Sequence, residues 1–108
     1  MGTITETDRD KILSQCKWHV DSGHAWLEVP NVIARKAHEA DISTGGDGIS
    51  MFSYVKGRFA YLEQDCDAPL FMKYLGGLDC ETWNEIHANG EVSYTDLAPI
   101  RNYPRWEA

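Results

Sequence analysis

The chain is short of cysteine, of positive charge and of long apolar runs, and each shortage removes a class of protein. Cys16, Cys66 and Cys80 are odd in number and form no CxxC pair. That argues against a secreted disulfide scaffold and against a standard structural zinc site. No stretch approaches the ~20 apolar residues that span a bilayer. Residues 3–10, TITETDRD, are polar where a signal peptide would be apolar. The expectation is a protein of a reducing cytoplasm, without membrane contact. A nucleophile elbow, a phosphate loop and an HExxH motif are all missing. The chain is therefore read as a non-enzyme with no cofactor.

What is present is aromatic and acidic. Four Trp, five Tyr and three Phe in 108 residues, with 43% apolar content, are enough for one core without metal or disulfide. Seventeen acids face ten bases, a net charge of −7. The imbalance is local. Residues 1–54 carry −3, whereas residues 61–91 carry −6, with Lys73 as the one base. A surface of that sign repels phosphate backbones and attracts a basic partner. Direct nucleic-acid binding is disfavoured, and a basic partner surface is favoured. The partner-binding candidates are Glu63, Asp65, Asp67, Asp79, Glu81 and Glu85.

Periodicity places the elements. Asp8 caps a helix over about 9–17 with Ile12, Leu13 and Cys16 on one stripe. Asp21-Ser22-Gly23 is a turn. Trp26 and Glu28 then alternate with Leu27 and Val29 in a strand that Pro30 stops. Asn31 caps a helix over 32–40. Residues 43–48, with three glycines, read as a mobile loop. Ile49–Val55 and Arg58–Gln64 read as a hairpin around Lys56-Gly57. Asp65 or Asp67 caps the next helix, with Pro69 in its first turn and Gly76-Gly77 at its end. A further helix is expected over about 80–88, and a short strand over 91–94. The class is α+β: one domain over 1–108, about three antiparallel strands with helices on one face. Residues 1–6 are a loose start and 91–108 an extended tail.

Two clusters bear on chemistry. His19, Asp21 and His24 lie within six residues, and imidazole with carboxylate at a turn suits a transition metal if the side chains converge. Asp65-Cys66-Asp67 offers paired carboxylates, but acids on both sides raise the thiol's pKa and make it a poor nucleophile. The plainer role for these acids is helix capping. In the tail, Arg101, Tyr103, Arg105 and Trp106 combine the residue types that dominate interface energetics. They serve equally to pin the tail to the core.

Three segments together carry a resemblance: residues 21–30 (DSGHAWLEVP), 49–54 (ISMFSY) and 60–67 (AYLEQDCD). The chain resembles a group of small uncharacterised proteins of bacteriophages and other bacterial mobile elements, over roughly residues 20–75. The resemblance implies an anti-CRISPR-like inhibitor that acts in the cytoplasm of a host bacterial cell, its acidic surface a DNA mimic, with a CRISPR effector or another nucleic-acid-binding complex with a basic surface as its target. It brings no catalytic residues. Two alternatives stay open. One is a metal-dependent or thiol enzyme built on His19/Asp21/His24 or Asp65/Cys66/Asp67. The other is a homo-oligomeric structural or adaptor protein pairing through the Ile49–Val55 edge. Monomer and homodimer are both compatible with the sequence.

Overall fold

The computed structural model describes residues 6–76, 86 and 89–107. Its elements are α1 (Glu6–Leu13), β1 (Lys17–Val20), β2 (Ala25–Pro30), α2 (Asn31–Ser43), β3 (Tyr54–Lys56), β4 (Phe59–Glu63), α3 (Ala68–Tyr74), β5 (Glu91–Ser93) and a 3-10 turn at Pro99–Asn102. The class is α+β, as the pattern implies. The sheet is larger than expected, with five strands in the order β3-β4-β2-β1-β5. It is also mixed. β5 pairs parallel with β1, Trp18 opposite Glu91 and Val20 opposite Ser93, while the other ladders are antiparallel. The short strand expected over 91–94 is present as β5, but its parallel pairing has no local turn signal, and β1 was not among the expected strands.

Alternation sorts the strands into two faces. Trp18, Leu27, Val29, Ala60 and Leu62 point to one side, where Ile12 and Leu13 of α1, Ala34 and Ala37 of α2, and Phe71 and Met72 of α3 cover them. Alanines at 34 and 37 let α2 lie close against the strands. The other face carries Trp26, Tyr54 and Tyr61, and the tail covers it with Ala98 and Ile100. Packed against that cluster are Phe59, Tyr94 and Tyr103.

Several local expectations give way to tertiary contacts. The first helix, expected over about 9–17 behind an Asp8 cap, runs over Glu6–Leu13 with Asp8 inside it, and Lys17–Val20 is a strand. Asn89 Nδ2 closes that helix end by donating to Leu13 O (2.6 Å) and Cys16 O (2.9 Å). Asn31 does not cap α2. The N-cap is Pro30, and the Asn31 Oδ1 accepts from Trp106 Nε1 at 2.9 Å. Residues 44–49 are tied down where a mobile loop was expected: Gly48 N donates to Asp41 Oδ2 and Ile49 N to His38 Nδ1, each at 2.9 Å. Glycine is needed there for close approach. A Cβ at Gly46 would land on the Asp41 carboxylate and one at Gly48 on the His38 ring, where φ is also +75°. Only Tyr54–Lys56 of the expected 49–55 strand forms, and the turn falls at Gly57-Arg58. α3 begins as expected, with Pro69 in its first turn. The expected helix over 80–88 lies outside the described residues except for Ile86, which is helical and buried.

The tail closes one edge of the sheet. Val55 N donates to Pro104 O and Trp106 N to Ser53 O, both at 2.9 Å, and Tyr54 bridges Arg105. The edge proposed for self-pairing is therefore occupied by residues 104–106. Trp106 itself is buried in the helix-side core, so the tail joins both faces.

Candidate functional site

The hairpin between β1 and β2 is organised by one carboxylate. Asp21 Oδ1 accepts from Gly23 N and His24 N at 2.9 Å, which fixes the turn. Its Oδ2 accepts from Ala98 N at 2.9 Å and from Arg101 Nε at 2.8 Å, while Arg101 Nη2 reaches Oδ1 at 3.0 Å. The Asp21 side chain is wholly buried in this arrangement. The Arg101 guanidinium, assisted by those backbone N–H groups, holds the carboxyl far below the usual range. In return Asp21 raises the affinity of Arg101 for its proton.

The three residues considered for a metal do not converge. His19 points to the tail-covered face, where Nε2 meets Glu28 Oε1 at 3.1 Å and Nδ1 meets the Tyr94 hydroxyl at 2.8 Å. Tyr61 packs edge-on against His19, 5.5 Å between centroids. Burial, with Glu28 adding to it, pushes the Tyr61 phenol up, and burial likewise raises Tyr94. His24 lies parallel to Trp26 at 5.8 Å. Among the described residues no group of three or more His, Cys, Asp or Glu is arranged to hold a metal.

Asp65, Cys66 and Asp67 also separate. Asp67 occupies the N-cap position of α3, yet its side chain makes no capping bond. It is 1% exposed and turns inward to accept from Ser50 N (3.0 Å), Ser50 Oγ (2.6 Å) and the Ser53 hydroxyl. The capping expectation fails because a buried carboxylate gains more from three donors in a neighbouring loop than from one exposed helix end. Glu63, 9% exposed, accepts from Asp65 N at 2.9 Å and Cys66 N at 2.8 Å. The Cys66 thiol is exposed and raised, first by its bond to Glu63. Buried Cys16 is pushed up to about 12, by desolvation and then by Glu28. Neither thiol is primed as a nucleophile.

Of the acids read as partner-binding, Asp65 is exposed, whereas Glu63 and Asp67 are interior and engaged. Asp79, Glu81 and Glu85 lie outside the described residues. What the fold assembles beside Asp65 is a cleft of about 360 Å³ that the sequence did not delimit. Trp26 and Tyr54 meet edge to face at 6.4 Å within it. The Arg101 guanidinium lies 5.4 Å over Trp26 and that of Arg105 4.9 Å over Tyr54. Arg105 Nη1 also donates to Met51 O at 2.8 Å. Phe52, 57% exposed, contributes to the lining, as do Glu63, Asp65 and Cys66. Interleaved Arg and aromatics in the tail were the legible trace of this cleft. Phe52 left none, because it read as a strand residue. A second recess of about 320 Å³ lies on the helix side, between Arg35, His38, Ile42 and Trp106.

Comparison with family models, with curated protein sequences and with solved structures finds no match. No helix among the described residues is long and apolar enough to cross a membrane.

Proposed function

We propose that this chain is a non-enzymatic binding protein that engages another protein through the cleft at Trp26, Tyr54 and Phe52. One observation carries the reading. A large aromatic ring, Phe52, is held 57% exposed beside a ligand-sized recess by a loop that buried Asp67 fastens from beneath. Fixing an exposed ring in this way lowers the ordering cost of binding. The groups with reactive potential are spent on the fold instead. His19 is engaged at both nitrogens, Asp21 is saturated, and both described thiols are raised. This weighs against the metal or thiol enzyme. The tail over β3 weighs against pairing through that edge.

The partner is a protein with a basic surface. The net charge of −7 and the concentration of acids in 61–91 support that half of the reading. An inhibitor of a host nucleic-acid-processing complex, anti-CRISPR-like and of mobile-element origin, is the biological form it takes. The test is affinity capture from bacterial lysate with the wild-type chain, Phe52→Asp and Val32→Asp, the last altering an exposed site outside the cleft. Loss of a specific partner with Phe52→Asp alone is the expected result. Equal capture by all three chains overturns the cleft as the binding surface.

A further inference from the structure

The charges around the cleft do not balance, and the imbalance specifies an occupant. Arg101 is cancelled by Asp21, whose side chain is wholly buried against it. That leaves Arg105 against the two lining carboxylates, Glu63 and Asp65. Among the described residues neither of them has a cationic ion-pair partner. Glu63 is held by the Asp65 and Cys66 backbone N–H groups and by the Cys66 thiol, none of them cationic. Hydrogen-bond donors of this kind satisfy a carboxylate without cancelling its charge as an ion pair would, so Glu63 and Asp65 together outweigh Arg105 at the cleft wall. An anionic ligand would meet Arg105 and be repelled by the rest.

We propose that the cleft takes one cationic side chain, an arginine or a lysine presented by the partner, seated between the Phe52 ring and the carboxylates of Glu63 and Asp65. This rests on the binding reading above and names what enters. The Trp26 and Tyr54 faces already carry the chain's own guanidiniums at 5.4 and 4.9 Å. Of the Trp, Tyr and Phe rings in this lining, Phe52 has no cation over it among the described residues. A cation over an aromatic face with carboxylates beside it combines two favourable terms. The recess, about 360 Å³, has the volume for such a side chain, and its lining pairs aromatic rings for the aliphatic stem with the Asp65 carboxylate for the charged head.

The test uses the full chain, labelled for NMR, and three blocked tripeptides: Gly-Arg-Gly, its neutral citrulline isostere and Gly-Glu-Gly. The arginine peptide is expected to shift the amides of Phe52, Glu63, Asp65 and Cys66 saturably, and the other two are not. Asp65→Asn weakens the arginine peptide about threefold and Asp65→Lys about tenfold. Both changes are at an exposed position and leave the thermal midpoint in place. Raising salt from about 50 mM to about 500 mM weakens binding further. An equal response to the citrulline peptide, or indifference to Asp65→Lys, overturns the proposal. The two readings fail separately. If partner capture depends on Phe52 but not on Asp65, the cleft stands and the cation falls. If capture depends on neither, the binding reading itself falls.

Discussion

One sheet has two faces that are covered by different means. On the helix side, α1, α2 and α3 bury Trp18, Leu27, Leu62, Phe71 and Met72, and the stabilisation comes from apolar area. On the tail side a segment without regular helix does the covering, held by Asp21, by the His19–Glu28–Tyr94 bonds and by ring contacts such as Tyr61–Tyr103 at 5.2 Å. One displaced group, the Cys16 thiol, lies in the helix-side core. Most of the groups with displaced proton affinity, Asp21, Tyr61, Tyr94 and Arg101, sit on the tail side. The lesson is a division of labour. Area holds the fold, and directional bonds shape the cleft.

The comparison breaks most severely at Phe71. Phe71→Ala removes a fully buried ring from the helix side and costs about 3–5 kcal/mol, read as a shift in urea midpoint with the slope unchanged. Asp21→Ala comes next, at on the order of 3 kcal/mol, because Arg101 and three backbone N–H groups lose their acceptor. Asp21 also gives the sign of the acid response. Its folded affinity for protons is depressed, so its contribution is complete above about pH 4 and is lost as pH falls below that. Stability of Asp21→Asn, followed from pH 6 to about pH 2, is expected to decline less steeply than that of the wild type. A parallel decline would place the acid lability elsewhere.

Asp67→Ala sharpens the comparison at the cleft. It unfastens residues 50–53 and costs about 1–3 kcal/mol, while the helix-side tryptophans keep their environment. Increased exchange of the Ser50 amide, with β1–β2 amides still protected, is the measurement. The smallest effect is Cys66→Ser, within about 0.5 kcal/mol, since that thiol is exposed. Its reactivity makes the better contrast. With a maleimide at neutral pH, Cys66 labels before Cys16, whose thiol is buried and pushed up to about 12. Equal labelling would mean that the helix side opens as readily as the cleft.

What could be read in advance was local. The β1–β2 turn at Asp21-Ser22-Gly23, the alternation of β2 and β4, and Pro69 in α3 all announce themselves within a few residues. What escaped depends on partners far along the chain. Residues 49–53 have strand-like composition, but Asp67 draws Ser50 and Ser53 into a bend. Asn31 has the look of a cap and serves as acceptor for Trp106, 75 positions away. The acids of 61–67 looked like surface because charge usually is surface, yet two of the three point inward. The tail arginines were visible as interface residues, but not their seats on Trp26 and Tyr54.

Trp106 has a consequence for the order in which the molecule comes into being. Its indole fills the core beside α2, and its backbone closes on Ser53. β5 completes the far edge beside β1 only after residue 93 has been made. A ribosome making this chain therefore releases the first hairpin before Ala98 and Ile100, which cover Trp26, and before Trp106, which closes on Ser53. Until then the nascent segment exposes apolar rings, and chaperones are its natural company.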